Sequence, residues 1–549
     1  MSSAKEPVTR RFGNGLTVLI KEDKSHPVVS LQYWVGTGSM NEGHWQGSGL
    51  SHLLEHLVFK GTEHYSGQDL ARKVQERGGH WNAYTSVNRT VYYIDGPADS
   101  WQIFLNLLTE LVFFPTFPED ELEREKGVVR REMAMYADDP DSVAYQLLMQ
   151  TLYLKHPRRW PVLGEPAAFD CLTRQDVLDY HASRYVPNNV VLSIAGDVDA
   201  AEIFSHLELL VEDLKSRPLN RELIPHEPHQ FGSRRVRKEF AVPYSKLNLA
   251  WRLPCSGHPD TPALSALASI LGGGRSARFY EKFHDRLGLV YSIEVHSNQS
   301  ETDEGAFTIS IDVDRAQRDK VRDLVLQELR NLAQEDFTED LKRVCKQTRV
   351  SRLRRRSSAA GVASEMGADW FGARNLNLSS EWQEAIERVT TEDLHRVCST
   401  WLSSPNVTEV SLDPVGSNAA EEDGSAAGTE TALSEHVLGN GMKVVIREDH
   451  RLPLAYACLA FKAGCRAENE HDAGVTDLMS ECLLKGTATR SAGDIARFLE
   501  DIGGAINTST GNNSLSVGCQ ILAEDLDSGL ELMADVVMNP SFPEDAFLR

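Results

Sequence analysis

The chain has 549 residues, 41% of them hydrophobic and 25% charged, and a formal net charge of −23. That length predicts about three to four domains, and the composition is that of a globular protein able to bury sizeable cores. The acidic balance argues against nucleic acid or an anionic membrane as the main partner, since both reward clustered Lys and Arg.

In chain order, LTVLIKE (Leu16 to Glu22) and VVSLQYWVG (Val28 to Gly36) read as strands from their β-branched content and alternation. SGLSHLLEHLVF (Ser48 to Phe59) reads as a helix, as does GQDLARKVQERGG (Gly67 to Gly79), which ends on a glycine pair. HWNAYTSVNRTVYYI (His80 to Ile94) predicts paired strands. ADSWQIFLNLLTELVF (Ala98 to Phe113) and PEDELEREKGVVRREMAMYA (Pro118 to Ala137) carry helical periodicity, and VVLSIAGDV (Val190 to Val198) reads as a buried strand. Strands and helices mixed in this way, with hairpin-type connections, predict an α+β fold. Its units would be repeated two-layer domains, each a mostly antiparallel sheet packed against helices.

The chain then repeats itself. Arg11 to Pro27 matches Val437 to Pro453 at an offset of 426 (439 − 13 for the shared glycine), and from Gly49 the offset becomes 425. Gly78, Gly79, Asn82 and Thr85 match Gly503, Gly504, Asn507 and Thr510, and PTFPED (Pro115 to Asp120) matches PSFPED (Pro540 to Asp545). Punctuation and periodicity returning in order over this length predict a tandem duplication. The second copy stops at Arg549, so a C-terminal truncation inside its first domain is expected. Composition sets the boundaries. A catalytic domain is expected at 1–215, a Pro-rich and His-rich linker at 216–233, a second α+β domain at 234–415, a Gly/Ala/Ser/Glu-rich flexible linker at 416–432, and a partial third domain at 433–549.

Eight cysteines are scattered without any C-x-x-C pair, which excludes a disulfide scaffold and a cysteine-ligated zinc site and suits a reducing compartment. There is no N-terminal apolar h-region and no run of about 18 apolar residues, so neither a signal peptide nor a membrane span is expected, and the expected location is cytoplasmic. Two basic runs occur, RRVRK (Arg234 to Lys238) and RLRRR (Arg352 to Arg356); the second lies in a helical pattern and is expected to be a solvated face or a partner contact. The triple glycine at 272–274 lacks the G-K-[ST] ending of a phosphate loop, which excludes nucleotide binding there.

The chemistry concentrates on one helix. At about 100° per residue, Leu50, Leu53, Leu54, Leu57 and Val58 form an apolar stripe, and His52, Glu55 and His56 fall together on the opposite face. The ordinary reading of such a face is solvent exposure. Three features oppose it. The histidines are four apart, on adjacent turns, and can grip one ion, with Glu55 placed to reach a metal-bound water. The pattern H-x-x-E-H is that of the inverzincins. In the second copy the same positions are Asp477, Ser480 and Glu481, while Gly474, Leu478, Leu483, Lys485, Gly486 and Thr487 keep the frame. The helix therefore does not need two histidines for packing. A catalytic zinc needs a third protein ligand, and the acidic helix offers Glu123, Glu125, Glu132 and Asp138. Glu125 and Glu132, seven apart, share a face with Val128 and Val129.

This motif, its distance from the acidic helix, the NAYT strand, YVPNNVVLSIAGD (Tyr185 to Asp197) and LGGGRSARFYEKFHDRLGLVYS (Leu271 to Ser292) closely resemble the pitrilysin/insulinase family of zinc metallopeptidases over essentially the whole chain. The resemblance implies one zinc per chain, held by His52, His56 and, 76 residues after His56 (132 − 56), Glu132. It implies Glu125 as a support that does not bind the metal, Glu55 as general base, and Asn82 and Ala83 as backbone binders of a peptide substrate. It further implies an endopeptidase acting on peptides or small unfolded polypeptides in a chamber closed by the C-terminal half of the same protein, with a dimer as a further possibility. An Arg and a Tyr of the substrate site would lie beyond residue 549, with Arg278 and Tyr291 expected to pair or pack locally. The alternative is a non-catalytic structural or peptide-binding relative. A presequence-processing peptidase is a substrate subclass of the leading reading.

Overall fold

A computed structural model describes residues 6–219, 222–300, 305–402, 406–416, 434–446, 454–462, 464, 466, 468–469, 472–502, 504–511 and 513–544. The chain divides into two compact units, Met1–Asp423 and Gly424–Arg549. Apart from Gly416, the segment expected to be the flexible linker, 416–432, lies outside the described residues.

The first unit contains two sheets. Strands β1 (Val8–Arg11), β2 (Thr17–Glu22), β3 (Val28–Val35), β4 (His80–Thr85), β5 (Thr90–Pro97) and β6 (Val190–Gly196) form the first, in the order β1-β2-β6-β3-β5-β4. Every adjacent pair is antiparallel except β2 and β6. Strands β7 (Arg234–Phe240), β8 (Ser245–Leu253), β9 (Val290–Asn298), β10 (Gly305–Val313) and β11 (Thr408–Pro414) form the second, in the order β7-β11-β8-β10-β9. Here too one pair, β7 and β11, is parallel. The second sheet thus repeats the topology of the first without its outer strand. No described residue of 216–233 joins a helix or strand.

The helices of the first half are α1 (Leu50–Val58), α2 (Gly67–Gln75), α3 (Trp101–Phe113), α4 (Glu119–Asp138), α5 (Pro140–Leu152), α6 (Pro166–Asp170), α7 (Arg174–Arg184) and α8 (Ala200–Leu210). Those after the linker are α9 (Thr261–Gly272), α10 (Arg318–Asn331), α11 (Thr338–Arg355), α12 (Ala359–Ala373), α13 (Leu378–Glu387) and α14 (Thr391–Val397). The apolar stripe of α1 packs with α3 and α7 against the inner face of the first sheet, in one core with Tyr33, Tyr92, Ile94 and Leu192. β6 is buried at every residue, as a strand covered on both faces must be.

Two helices are exchanged between the sheets. Ala363 and Met366 of α12 cover the outer face of the first sheet at Leu19, Trp34, Val91 and Val191. A Cβ at Gly367 would come within 2.3 Å of the Trp34 ring, so only glycine lets the helix lie this close. In return, Leu148, Met149 and Leu152 of α5 cover Ala250, Ala306 and Val410 of the second sheet.

This exchange also disposes of the basic runs. Arg234 of β7 donates to the carbonyls of Thr151 and Leu152 at the end of α5, Arg235 pairs with Glu409 at 2.9 Å, and Arg237 pairs with Asp319 at 3.0 Å. Arg352 and Arg356 both reach Glu365 of α12 at 3.0 Å. The arginines of RRVRK are therefore tied into the fold, and in RLRRR Arg352 and Arg356 neutralise the buried Glu365 while Leu353, Arg354 and Arg355 face solvent. Arg278 pairs with Asp340 and Tyr291 packs on Tyr244 at 5.1 Å.

The second unit carries the hairpin β12 (Ser434–Val437) and β13 (Lys443–Ile446), and a separate sheet of β14 (Leu454–Phe461), β15 (Ala505–Thr510) and β16 (Leu515–Leu522) in the order β14-β16-β15. Helices α15 (Val475–Leu483), α16 (Ala492–Asp501) and α17 (Leu526–Met538) follow the pattern of α1, α2 and α3. Among the described residues no helix is long and apolar enough to cross a membrane.

Candidate metal centre

Helix α1 starts at Gly49, whose φ of 74° is left-handed and whose missing Cβ would lie 2.0 Å from the Leu163 carbonyl oxygen. No side chain caps it locally. Glu42 does so instead, its Oε1 accepting from the Ser51 N–H at 2.8 Å. Glu42 is only 1% exposed, and burial pushes its carboxyl up to about 8. With its leucines committed to the core, α1 turns His52, Glu55 and His56 toward α4.

Across the gap stands Glu132 of α4. Its Oε2 lies 3.8 Å from Nε2 of His52 and 3.8 Å from Nε2 of His56, and one donor atom from each residue lies within 4.8 Å of the others. Burial first, and His56 second, hold His52 down to about 3, so its imidazole is neutral and keeps a lone pair. Two imidazole nitrogens and one carboxyl oxygen converging within 4.8 Å are a donor set that zinc fits, three protein ligands being what a catalytic zinc takes beside its open position. The buried Nδ1 of His52 has no partner among the described residues.

Glu125, one of the four acids left open above, lies behind His56. Its Oε2 is 3.1 Å from His56 Nδ1 and its Oε1 is 2.7 Å from Lys60 Nζ. Glu123 and Asp138 face solvent. Glu55 is partly buried beside the histidines, and burial raises its carboxyl above the ordinary carboxylate range. The Thr85 hydroxyl donates to Glu55 Oε2.

Thr85 ends β4, which is the outer strand of its sheet and pairs only with β5. Asn82 and Ala83 lie on that open strand, and the Ala83 N–H donates to Asn82 Oδ1 at 2.8 Å. A cavity of about 610 Å³ opens from His52, Thr85 and Glu132 and is walled by Met133, Tyr136 and Tyr145.

Sequence reasoning did not identify Thr85, Lys60 or Glu42 as parts of the site. The repeat held a signal for two of them. Glu42 and Glu468 occupy matching positions, and Glu468 caps α15 by accepting from the N–H groups of Gly474 and Thr476 at 2.7 and 2.9 Å. Thr510, the match of Thr85, donates to Asp477 at 2.7 Å. The second copy keeps the supports and lacks the histidines.

Comparison with known proteins follows the same lines. The family described as Insulinase (Peptidase family M16) matches residues 17–165 and again 443–549, and the Peptidase M16 inactive domain matches residues 172–347. An uncharacterized zinc protease of Rickettsia felis is 27% identical over 406 residues, covering 72% of this chain and 94% of that protein. The crystal structure of a protease from Helicobacter pylori superposes with a TM-score of 0.68 at 26% identity, covering 74% of this chain and all of that one. A periplasmic protease of Escherichia coli shares the fold along the full chain, with a TM-score of 0.63 at 15% identity and 67% of its own length covered.

Proposed function

Because the chain belongs to the insulinase family of peptidases, family M16, we propose that it is a zinc-dependent endopeptidase acting on peptides or small unfolded polypeptides. The observation that carries this reading is the convergence of His52, His56 and Glu132 with Glu55 alongside. The zinc assignment also draws on the relative described as a zinc protease.

His52, His56 and Glu132 would hold the metal, one per chain. When bound, zinc supplies Lewis acidity, which acidifies water and polarises a peptide carbonyl. Glu55 takes the proton of the attacking water. As the C–N bond breaks, Glu55 returns that proton to the leaving amine, so it starts and ends the cycle as a carboxylate. The raised carboxyl of Glu55 suits a group that must both accept and give a proton near neutral pH. Thr85 fixes the Glu55 carboxylate through Oε2. Glu125 fixes the ring of His56.

Asn82 and Ala83 would bind the substrate backbone as an added strand on the open edge of β4. The same proposal includes a chamber closed by a C-terminal half of the protein, with the second copy enclosing substrate.

The test is cleavage of an internally quenched peptide library by the wild type and by Glu55→Gln, with bound zinc measured in both. Cleavage by the wild type, a loss of about 10²-fold or more in the variant and unchanged zinc are expected. Equal activity in the two proteins would remove Glu55 from the mechanism.

A further inference from the structure

Away from the metal centre, Arg11 at the end of β1 and Arg374 just beyond α12 stand on the rim of one cavity of about 640 Å³. It lies where β2 and β6 begin, and none of its lining residues belongs to the metal centre. The lining holds two arginines and four asparagines, and no Asp, Glu or Lys. That is unusual in a chain with 80 acidic and 57 basic residues. Its other wall is apolar and aromatic, from Trp370, Phe371 and Met40.

The two guanidiniums are near neighbours without a counter-charge. Burial first, and Arg11 among the further causes, hold Arg374 below its ordinary value. Neither arginine has an ion pair or side-chain hydrogen bond among the described residues. The adjacent Arg10, by contrast, pairs with Glu208 and lies over Phe12 and Phe204.

The backbone of Arg374 also sits at φ 55°, a left-handed conformation that costs a non-glycine residue energy. Its N–H donates to the Trp370 carbonyl, so it terminates α12. Helix termination accounts for a cation at this position. It does not account for Arg11 or for the absence of acids around the pair.

We propose that this cavity binds a small polyvalent oxyanion, carboxylate or phosphate, held by charge-assisted hydrogen bonds between the Arg11 and Arg374 guanidiniums. Five separate stretches of chain meet there, so a bound anion would tie α12 to the end of the first sheet. An anion also removes the repulsion between the two cations.

The test is calorimetric titration of the full chain with inorganic phosphate and, separately, with succinate, at matched ionic strength against chloride. Saturable binding of at least one of them is expected, and which one binds identifies the source of the oxyanion. Arg11→Gln and Arg374→Asn should each weaken it by about tenfold or more. Asn tolerates the left-handed backbone, so Arg374→Asn keeps the helix end. Arg11 lies on an exposed strand end, where Arg11→Gln leaves the core untouched. His52→Ala should bind the anion as the wild type does. Binding no stronger than chloride for both probes would overturn the proposal. So would unchanged affinity in both arginine variants, or a loss confined to His52→Ala, which would relocate the anion to the metal centre.

Discussion

Glu125 holds His56 from behind, with its Oε2 3.1 Å from the imidazole Nδ1 and its Oε1 2.7 Å from Lys60 Nζ. One carboxylate thereby fixes the ring that would face the metal and neutralises the nearest lysine. Glu125→Ala frees the ring and leaves Lys60 unpaired beside it. Zinc affinity, read by competition with a chromogenic chelator, should fall by about 10- to 100-fold. Wild-type affinity in the variant would mean that the ring is held by its packing alone.

Thr85 acts on Glu55 and on no other residue of the centre. Thr85→Val keeps the size of the side chain and removes the hydroxyl, so Glu55 loses that hold and keeps only the Thr85 backbone contact. The turnover number should drop by about tenfold, the worth of one hydrogen bond to a charged group, while zinc content stays the same. Thr85→Ser should restore most of the rate. A rise in KM at constant turnover would instead assign Thr85 to substrate binding.

The open edge of β4 makes a separate prediction. The Ala83 N–H is engaged by the Asn82 side chain. Proline is tolerated at a strand edge and cannot donate. Ala83→Pro should therefore raise KM for peptides several-fold with little change in thermal midpoint. A large loss of stability would show that this N–H supports the sheet itself.

Stability should depend on pH through Glu42. Burial pushes its carboxyl from the ordinary 4.5 up to about 8. Between those values the folded protein keeps a proton that the unfolded chain releases. The contribution is then fully present below pH 4.5 and is lost as pH rises to about 8. Glu42→Gln mimics the protonated form. Its unfolding free energy should match the wild type near pH 5 and exceed it near pH 8.5 by on the order of a few kcal/mol, with the thermal midpoint raised only at the higher pH. Parallel pH profiles for the two proteins would place the titration elsewhere.

Helices α1 and α4 were legible in the sequence because a 3.6-residue stripe of leucines or valines sets which face is buried, and the face opposite follows. The choice among four acids on α4 was not, since acids occur on several of its faces. Burial of Leu122 and Val129 against the core orients the helix and brings Glu132 to the histidines. Thr85 was hidden for a different reason: its partner lies on another element, and a threonine on a strand reads as ordinary β-propensity. The exchange of α5 and α12 between sheets could not be read at all. An apolar stripe states that a helix is covered and not which sheet covers it. The pairing of Arg11 with Arg374 is a product of that same exchange.

In the first sheet, β6 lies between β2 and β3, and it alone joins the hairpin β1-β2 to the antiparallel strands β3-β5-β4. Val18 of β2 pairs with Leu192 of β6, 174 residues later (192 − 18). On a ribosome, every side chain of the metal centre would therefore emerge before the platform beneath it could close. Closure would wait for one long-range strand insertion, the slow kind of folding event. The second unit displays the same two pieces side by side in the sequence, hairpin β12-β13 and sheet β14-β16-β15, as separate sheets. A variant that weakens β6 should leave nascent chains with a formed α1 and an open sheet, the species on which a chaperone would act.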